Sequence, residues 1–291
     1  MRALAIALAG LMLLSLTSLT IAGRHNCKPA WKCQPSPSPS TPTPAGFRLI
    51  FEEHFNVNTA TVFDQAGNSS THRLYAYPWG YDDTSNNGHY DPSIISAHDG
   101  VLDFHIQTTN GVHRVAAFGP CLSTAQDNPV AINCQQNQLY GAYEVRARVD
   151  SMHGYKGAWL LWPQRDPWPQ YGEIDSPEGD FDASVSAFMH YEGAFIDGSG
   201  TVRGPDGSLN HQDWFPSGTT WNDWHVWRTE WTPGNVRFYV DGRLFGHSTR
   251  YVPSTPMRWT IQNETTLDGF EPADSVSGHG YIDYLKVWAY Q

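Results

Sequence analysis

The sequence predicts an all-β fold, an antiparallel β-sandwich formed as one domain by residues 46–291. Three observations predict it. Short segments that alternate apolar and polar residues recur, each bounded by Gly, Pro, Asn or Asp. No apolar stripe of helical period accompanies them. No internal repeat is present, which argues against a propeller or a solenoid.

The strands can be placed in order. Val101-Leu-Asp-Phe-His-Ile106 alternates, as does Gly141-Ala-Tyr-Glu-Val-Arg-Ala-Arg-Val149. Asn235-Val-Arg-Phe-Tyr-Val240 runs into Asp241-Gly242, a hairpin turn signal. Ile282-Asp-Tyr-Leu-Lys-Val-Trp-Ala289 closes the domain. The 26 Gly and 20 Pro supply the many turns such a fold needs.

Composition narrows the function. The 291 residues include 29 acidic and 18 basic side chains, a net charge of −11, which is wrong for a protein that tracks a phosphate backbone. No nucleic-acid partner is expected. Charged residues make up only 16%, yet there are twelve Trp, and that excess needs an explanation.

The N-terminal region reads differently. Arg2 precedes a run of mostly Ala, Leu and Ile from Ala3 to Ile21. This resembles a secretory signal peptide over residues 1–23, cleaved after Ala22 or Gly23. The run, about 18–20 residues, is also long enough for an uncleaved membrane anchor. The protein is therefore expected to be secreted and extracellular, or tethered at the cell surface. Residues 24–45 form a linker, and its Pro/Ser/Thr alternation from Pro35 to Pro44 favours an extended, stalk-like spacer. An exported chain favours disulfides. Proximity pairs Cys27 with Cys33 and Cys121 with Cys134, one of the three connectivities four cysteines allow.

The chemistry concentrates around Trp168-Pro-Gln-Tyr-Gly-Glu173-Ile-Asp175-Ser-Pro-Glu178. From Asp166 through Val202 there are eight acids and no Lys or Arg. On a strand, Glu173 and Asp175 share a face, while Glu178, three positions beyond Asp175, would point away. One extra residue, a β-bulge, restores Glu178 to the shared face. Pro177, which has no N–H for the ladder, is tolerated there. The two Glu then behave as i and i+4, about 13 Å apart at Cα. Their carboxyls can approach to about 5 Å, the separation of a retaining glycosidase rather than the roughly 6.5–9.5 Å of an inverting one. One Glu must attack as the anion and the other must deliver a proton. Asp175 lies between them, able to hydrogen-bond the nucleophile. A bland acidic loop or a calcium site is the competing reading, although the EF-hand pattern is absent. No Gly-x-Ser-x-Gly elbow, His-Glu-x-x-His pair or phosphate loop offers another scheme.

The segment Glu-Ile-Asp-Ser-Pro-Glu resembles the bulged Glu-x-Asp-x-x-Glu signature of glycoside hydrolase family 16, as in its laminarinase-like members. Phe47-Arg-Leu-Ile-Phe-Glu-Glu-His-Phe55 is similar to the family's opening strand, and the segments at 141–149, 224–242 and 282–288 match its order. The resemblance implies a concanavalin-like jelly roll with a cleft on its concave face. It implies Glu173 as nucleophile, Asp175 as assisting carboxylate and Glu178 as acid/base. Trp168 would be a sugar platform, since C–H faces of sugars pack on aromatic rings. His190 would lie near the scissile sugar. Trp159 and Trp162 have opposite parity in Ala158-Trp-Leu-Leu-Trp-Pro163, so at most one readily faces the cleft. Gln262, Glu264, Asn87 and Tyr90 are further candidate substrate contacts. No cofactor is expected for catalysis, and a structural calcium would use Glu53 and Asp283. The expected activity is endo-hydrolysis of β-1,3- or mixed β-1,3/1,4-glucan by a monomer. A galactan-type hydrolase, a transglycosylase and a lectin-like binding module are the alternatives.

Overall fold

The computed structural model describes residues 42–122, 134, 136–165 and 167–291. The expected signal segment, most of the linker, and Cys27 and Cys33 lie outside the described residues. Pro42–Gln291 forms one compact unit.

In chain order the strands are β1 Phe47–Glu53, β2 Leu74–Ala76, β3 Gly88–Tyr90, β4 Ile95–His98, β5 Val101–Thr109, β6 Val112–Pro120, β7 Asn137–Gln138, β8 Gly141–Val149, β9 Tyr155–Pro163, β10 Tyr171–Asp180, β11 Ser184–Glu192, β12 Phe195–Ile196, β13 Val202–Arg203, β14 Gln212–Thr220, β15 His225–Thr232, β16 Asn235–Val240, β17 Arg243–Ser248, β18 Met257–Thr265 and β19 Gly278–Tyr290. Two layers follow from their pairing. In the outer layer β19 lies between β8 on one side and β1 and β5 on the other, and β15, β16 and β17 continue beyond β8. In the inner layer the order is β2–β6–β18–β9–β10–β11–β14. All these pairings are antiparallel, so the sandwich is the one the alternating segments predicted. A parallel contact joins β3 to β6.

The alternation decides what lies between the layers. Trp159 and Leu161 of β9, Ile174 of β10, Val185, Ala187 and Met189 of β11, and Ile261 of β18 are buried together with Val145, Phe238 and Leu285 of the outer layer. Trp159, Trp221, Trp227, Trp231 and Trp288 are among the largest fully buried side chains, so part of the Trp excess is core. Asn263 is a buried polar residue on the core face of β18. Its carbonyl accepts from Trp159 Nε1 at 3.2 Å, and its amide donates to the Ala116 carbonyl at 3.0 Å. Both ends of the buried amide are thus satisfied, as burial requires. Cys121 and Cys134 form a disulfide, as proximity suggested.

Gly280 shows how tightly the layers fit. It faces Phe104 across the β19–β5 ladder, and a Cβ there would lie 1.8 Å from Phe104 Cζ. Phe104 is fully buried and has nowhere to retreat. Gly280→Ala is therefore expected to cost about 1–3 kcal/mol by overpacking. The urea midpoint measures it, and an unchanged midpoint would show that the ring yields freely.

Candidate active site

β10 lies inside the inner layer, flanked by β9 and β11. Its register carries the site. Asp175 pairs with Leu160 of β9 and Phe188 of β11, and Glu178 pairs with Ala158 and Ser186. Three steps along β10 therefore match two steps along each neighbour. That is the one-residue bulge expected from the sequence, and it places Glu173, Asp175 and Glu178 on one face. Pro177 sits within it, where its missing N–H breaks no ladder bond.

The shared face opens into a cleft of about 410 Å³ lined by all three carboxylates. Trp168, Trp162, His190, Gln262 and Glu264 also line it. Trp168 Nε1 donates to Glu173 Oε2 at 2.8 Å, and its ring meets His190 edge-on at 5.9 Å. His190 stands opposite Glu173 across the ladder, with Nε2 3.2 Å from Asp175 Oδ2. Lys156 Nζ donates to Glu178 Oε1 at 2.8 Å. Glu264 Oε1 accepts from the Thr84 backbone N–H at 3.1 Å, from Thr84 Oγ1 at 2.7 Å and from the Tyr90 hydroxyl.

Three predicted contacts lie elsewhere. Trp159 has the opposite parity to Trp162, so its indole is in the core against Trp221. Tyr90 is buried behind Glu264 and supports it rather than lining the cleft. Asn87 does not line the cleft, and its backbone N–H closes a turn onto Asp83 Oδ1 and Ser85 Oγ. Thr84, from the same turn, reaches the cleft instead. Asp83 anchors that turn by accepting from the Thr265 backbone N–H and hydroxyl, at 2.9 and 2.7 Å. Lys156, Ala158 and Leu160, which share the parity of Trp162 on β9, also line the cleft and were not among the expected contacts. Lys156 was detectable as the one charge in an otherwise uncharged strand. Phe188 and Trp214 continue the face beyond Asp175 by direct pairing, and Trp214 is 59% exposed.

Glu53 and Asp283, the residues expected to hold a calcium ion, each meet protein donors in this structure. Glu53 Oε1 accepts from the backbone N–H groups of His54 and Phe55, with His72 Nδ1 at 3.4 Å. Asp283 is neutralised by Arg146 Nη1 at 2.6 Å. The two acids therefore serve protein donors, each in its own place.

The electrostatics of the face are dominated by burial. Burial pushes the Glu173 carboxyl well above the ordinary range, with the charge of Asp175 next, while His190 opposes them. Burial also pushes Asp175 well up, with Glu178 adding to it and Glu173 and Lys156 opposing. A proton held between Glu173 and Asp175 relieves both. Burial works against the Lys156 ammonium, but Glu178, by charge and hydrogen bond, with Glu264 and Asp175 behind it, holds its pKa above the ordinary lysine range.

The comparisons with known proteins agree with this geometry. A family model for the Glycosyl hydrolases family 16 matches residues 103–284. The chain belongs to that family. A glucan endo-1,3-beta-glucosidase A1 from Niallia circulans is 28% identical over 87% of this chain and 39% of its own length. A beta-glucanase from Rhodothermus marinus is 36% identical over 36% of each chain. The chain thus spans under two fifths of the length of either relative. The solved Bacillus licheniformis beta-glucanase superposes with a TM-score of 0.57 over 86% of this chain and all of its own, at 16% identity. That likeness supports the jelly-roll fold.

The raised carboxyls make a stability prediction. The Glu173–Asp175 pair holds a proton to higher pH in the folded state than in the unfolded chain, whose carboxyls ionise near pH 4. Their contribution is present below that pH and is lost as pH rises towards their folded-state values. Asp175→Asn is therefore expected to raise the thermal midpoint at pH 7, with the gain fading near pH 4. An equal change at both pH values would contradict the burial penalty.

Proposed function

We propose that this chain is a secreted, retaining endo-glycosidase acting on β-1,3- or mixed β-1,3/1,4-glucan. The observation that carries the reading is the bulge that sets Glu173 and Glu178 on one face either side of Asp175. The names of the related glucanases support a β-glucan substrate. The disulfide and the apolar leader support export.

The chain's residues divide the reaction as follows. With the pair's proton on Asp175, Glu173 is the anion that attacks the anomeric carbon. Trp168 Nε1, at 2.8 Å, fixes the direction of that carboxylate. Glu178 gives its proton to the departing glycosidic oxygen, and a glycosyl ester forms on Glu173. Glu178, now the base, takes a proton from water, which attacks the same carbon and frees Glu173. Two displacements restore the starting β configuration. Trp162 and Trp168 offer rings to the sugar faces.

Reducing-sugar release from laminarin and lichenan tests this, with agarose and carrageenan as comparison substrates. Glu173→Gln is expected to abolish release, and Glu178→Gln to reduce it by about 10²–10⁴-fold. The first product anomer seen by NMR should be β. Undiminished release by Glu173→Gln would overturn the assignment. Binding of every polysaccharide without turnover would indicate a lectin-like module, and products longer than the substrate would indicate transglycosylation.

A further inference from the structure

One side chain in the cleft has no part in that reaction. Lys156 is the only lysine or arginine lining the cleft among the described residues, and it is 8% exposed. It stands opposite Asp180 of β10 and Glu264 of β18 in the two ladders that flank β9. Its ammonium is spent on Glu178, at 2.8 Å. This pairing conflicts with the first chemical step. An acid must hold a proton, yet a cation hydrogen-bonded to a carboxylate favours its ionised form. Burying such a pair also has a desolvation cost that an apolar pair would avoid.

The second step resolves the conflict. There Glu178 must be an unprotonated base. Glu173, Asp175 and Asp180 of its own strand interact with it as like charges, Asp180 in turn with Asp182 and Asp268, while Glu264 of β18 faces its partner Lys156. Among the described residues lining the cleft, Lys156 of β9 is the one Lys or Arg, and the His190 imidazole of β11 lies against Asp175 instead. We propose that Lys156 is a positioning residue acting through Glu178: it holds the carboxylate in place, favours the base required for the second step, and so sets the pH above which the first step fails. The inference rests on the assignment of Glu178 as acid/base.

The pH dependence of kcat/KM on a soluble β-1,3-glucan tests it. The alkaline limb reports the loss of the acid's proton. Removing the cation by Lys156→Met should move that limb up by about one to three pH units, the size of effect an adjacent opposite charge exerts. Lys156→Arg, which keeps the charge, should leave it near the wild-type position. Lys156→Gln gives the same reading as Lys156→Met if the latter does not fold. A second arm examines the underlying assignment. Glu178→Ala acting on an aryl β-laminaribioside with a good leaving group needs no acid for its first step. Azide should then attack the anomeric carbon of the glycosyl ester, displace the Glu173 carboxylate, and give a β-glycosyl azide. If azide restores turnover but the lysine variants lose activity without moving the limb, the role of Lys156 is overturned and the proposed reaction stands. If azide restores nothing, the assignment of Glu178 fails and the role of Lys156 falls with it.

Discussion

The site depends on one extra residue in β10. A strand has only two faces, and Glu178 lies three positions beyond Asp175. Without the register shift between them, Glu178 would turn toward Val185 and Trp159 in the core. A charge there would lack a partner, and Lys156 would lose its own. Both ladders flanking β10 absorb the shift at the same place, which fixes the bulge from two sides. The fold thus resolves a parity problem by setting all three carboxylates on one face.

The same face sets an electrostatic problem that the neighbours only partly solve. Glu173 and Asp175 are buried side by side, so the free protein carries charge where it is least tolerated. His190, Lys156 and the Trp168 N–H counter it from three different segments of chain. Glu264 is handled otherwise, by three neutral donors from Thr84 and Tyr90. The floor of the cleft is therefore polar chemistry held under strain by well-packed strands, a trade often seen where reactivity outranks stability.

Much of this was legible in the sequence, and the failures have one cause. The bulge could be read because Pro177 and the spacing of three carboxylates constrain each other. The Cys121–Cys134 pair followed from separation alone. In β9, by contrast, burial on both faces removes the apolar–polar alternation that would orient it, so Trp159 and Trp162 could not be told apart. Tyr90 and Asn87 lie near the site but serve it from behind, through Glu264 and Asp83. A sequence shows proximity of that kind without showing which atoms turn toward the cleft. The partners of Glu53 and Asp283, Phe55, His72 and Arg146, likewise come from several places in the chain.

Of the thirteen described residues lining the cleft, ten stand on β9, β10, β11 and β18, and Thr84, Trp168 and Leu267 come from connecting segments. Floor and walls are thus encoded separately. The floor is tied to the sheet register, so a change there disturbs the packing of both layers. The walls hang on short connections that tolerate replacement far better. A lineage, or an experimenter, can exchange those three connections to reshape what the cleft admits while the carboxylate floor is inherited intact.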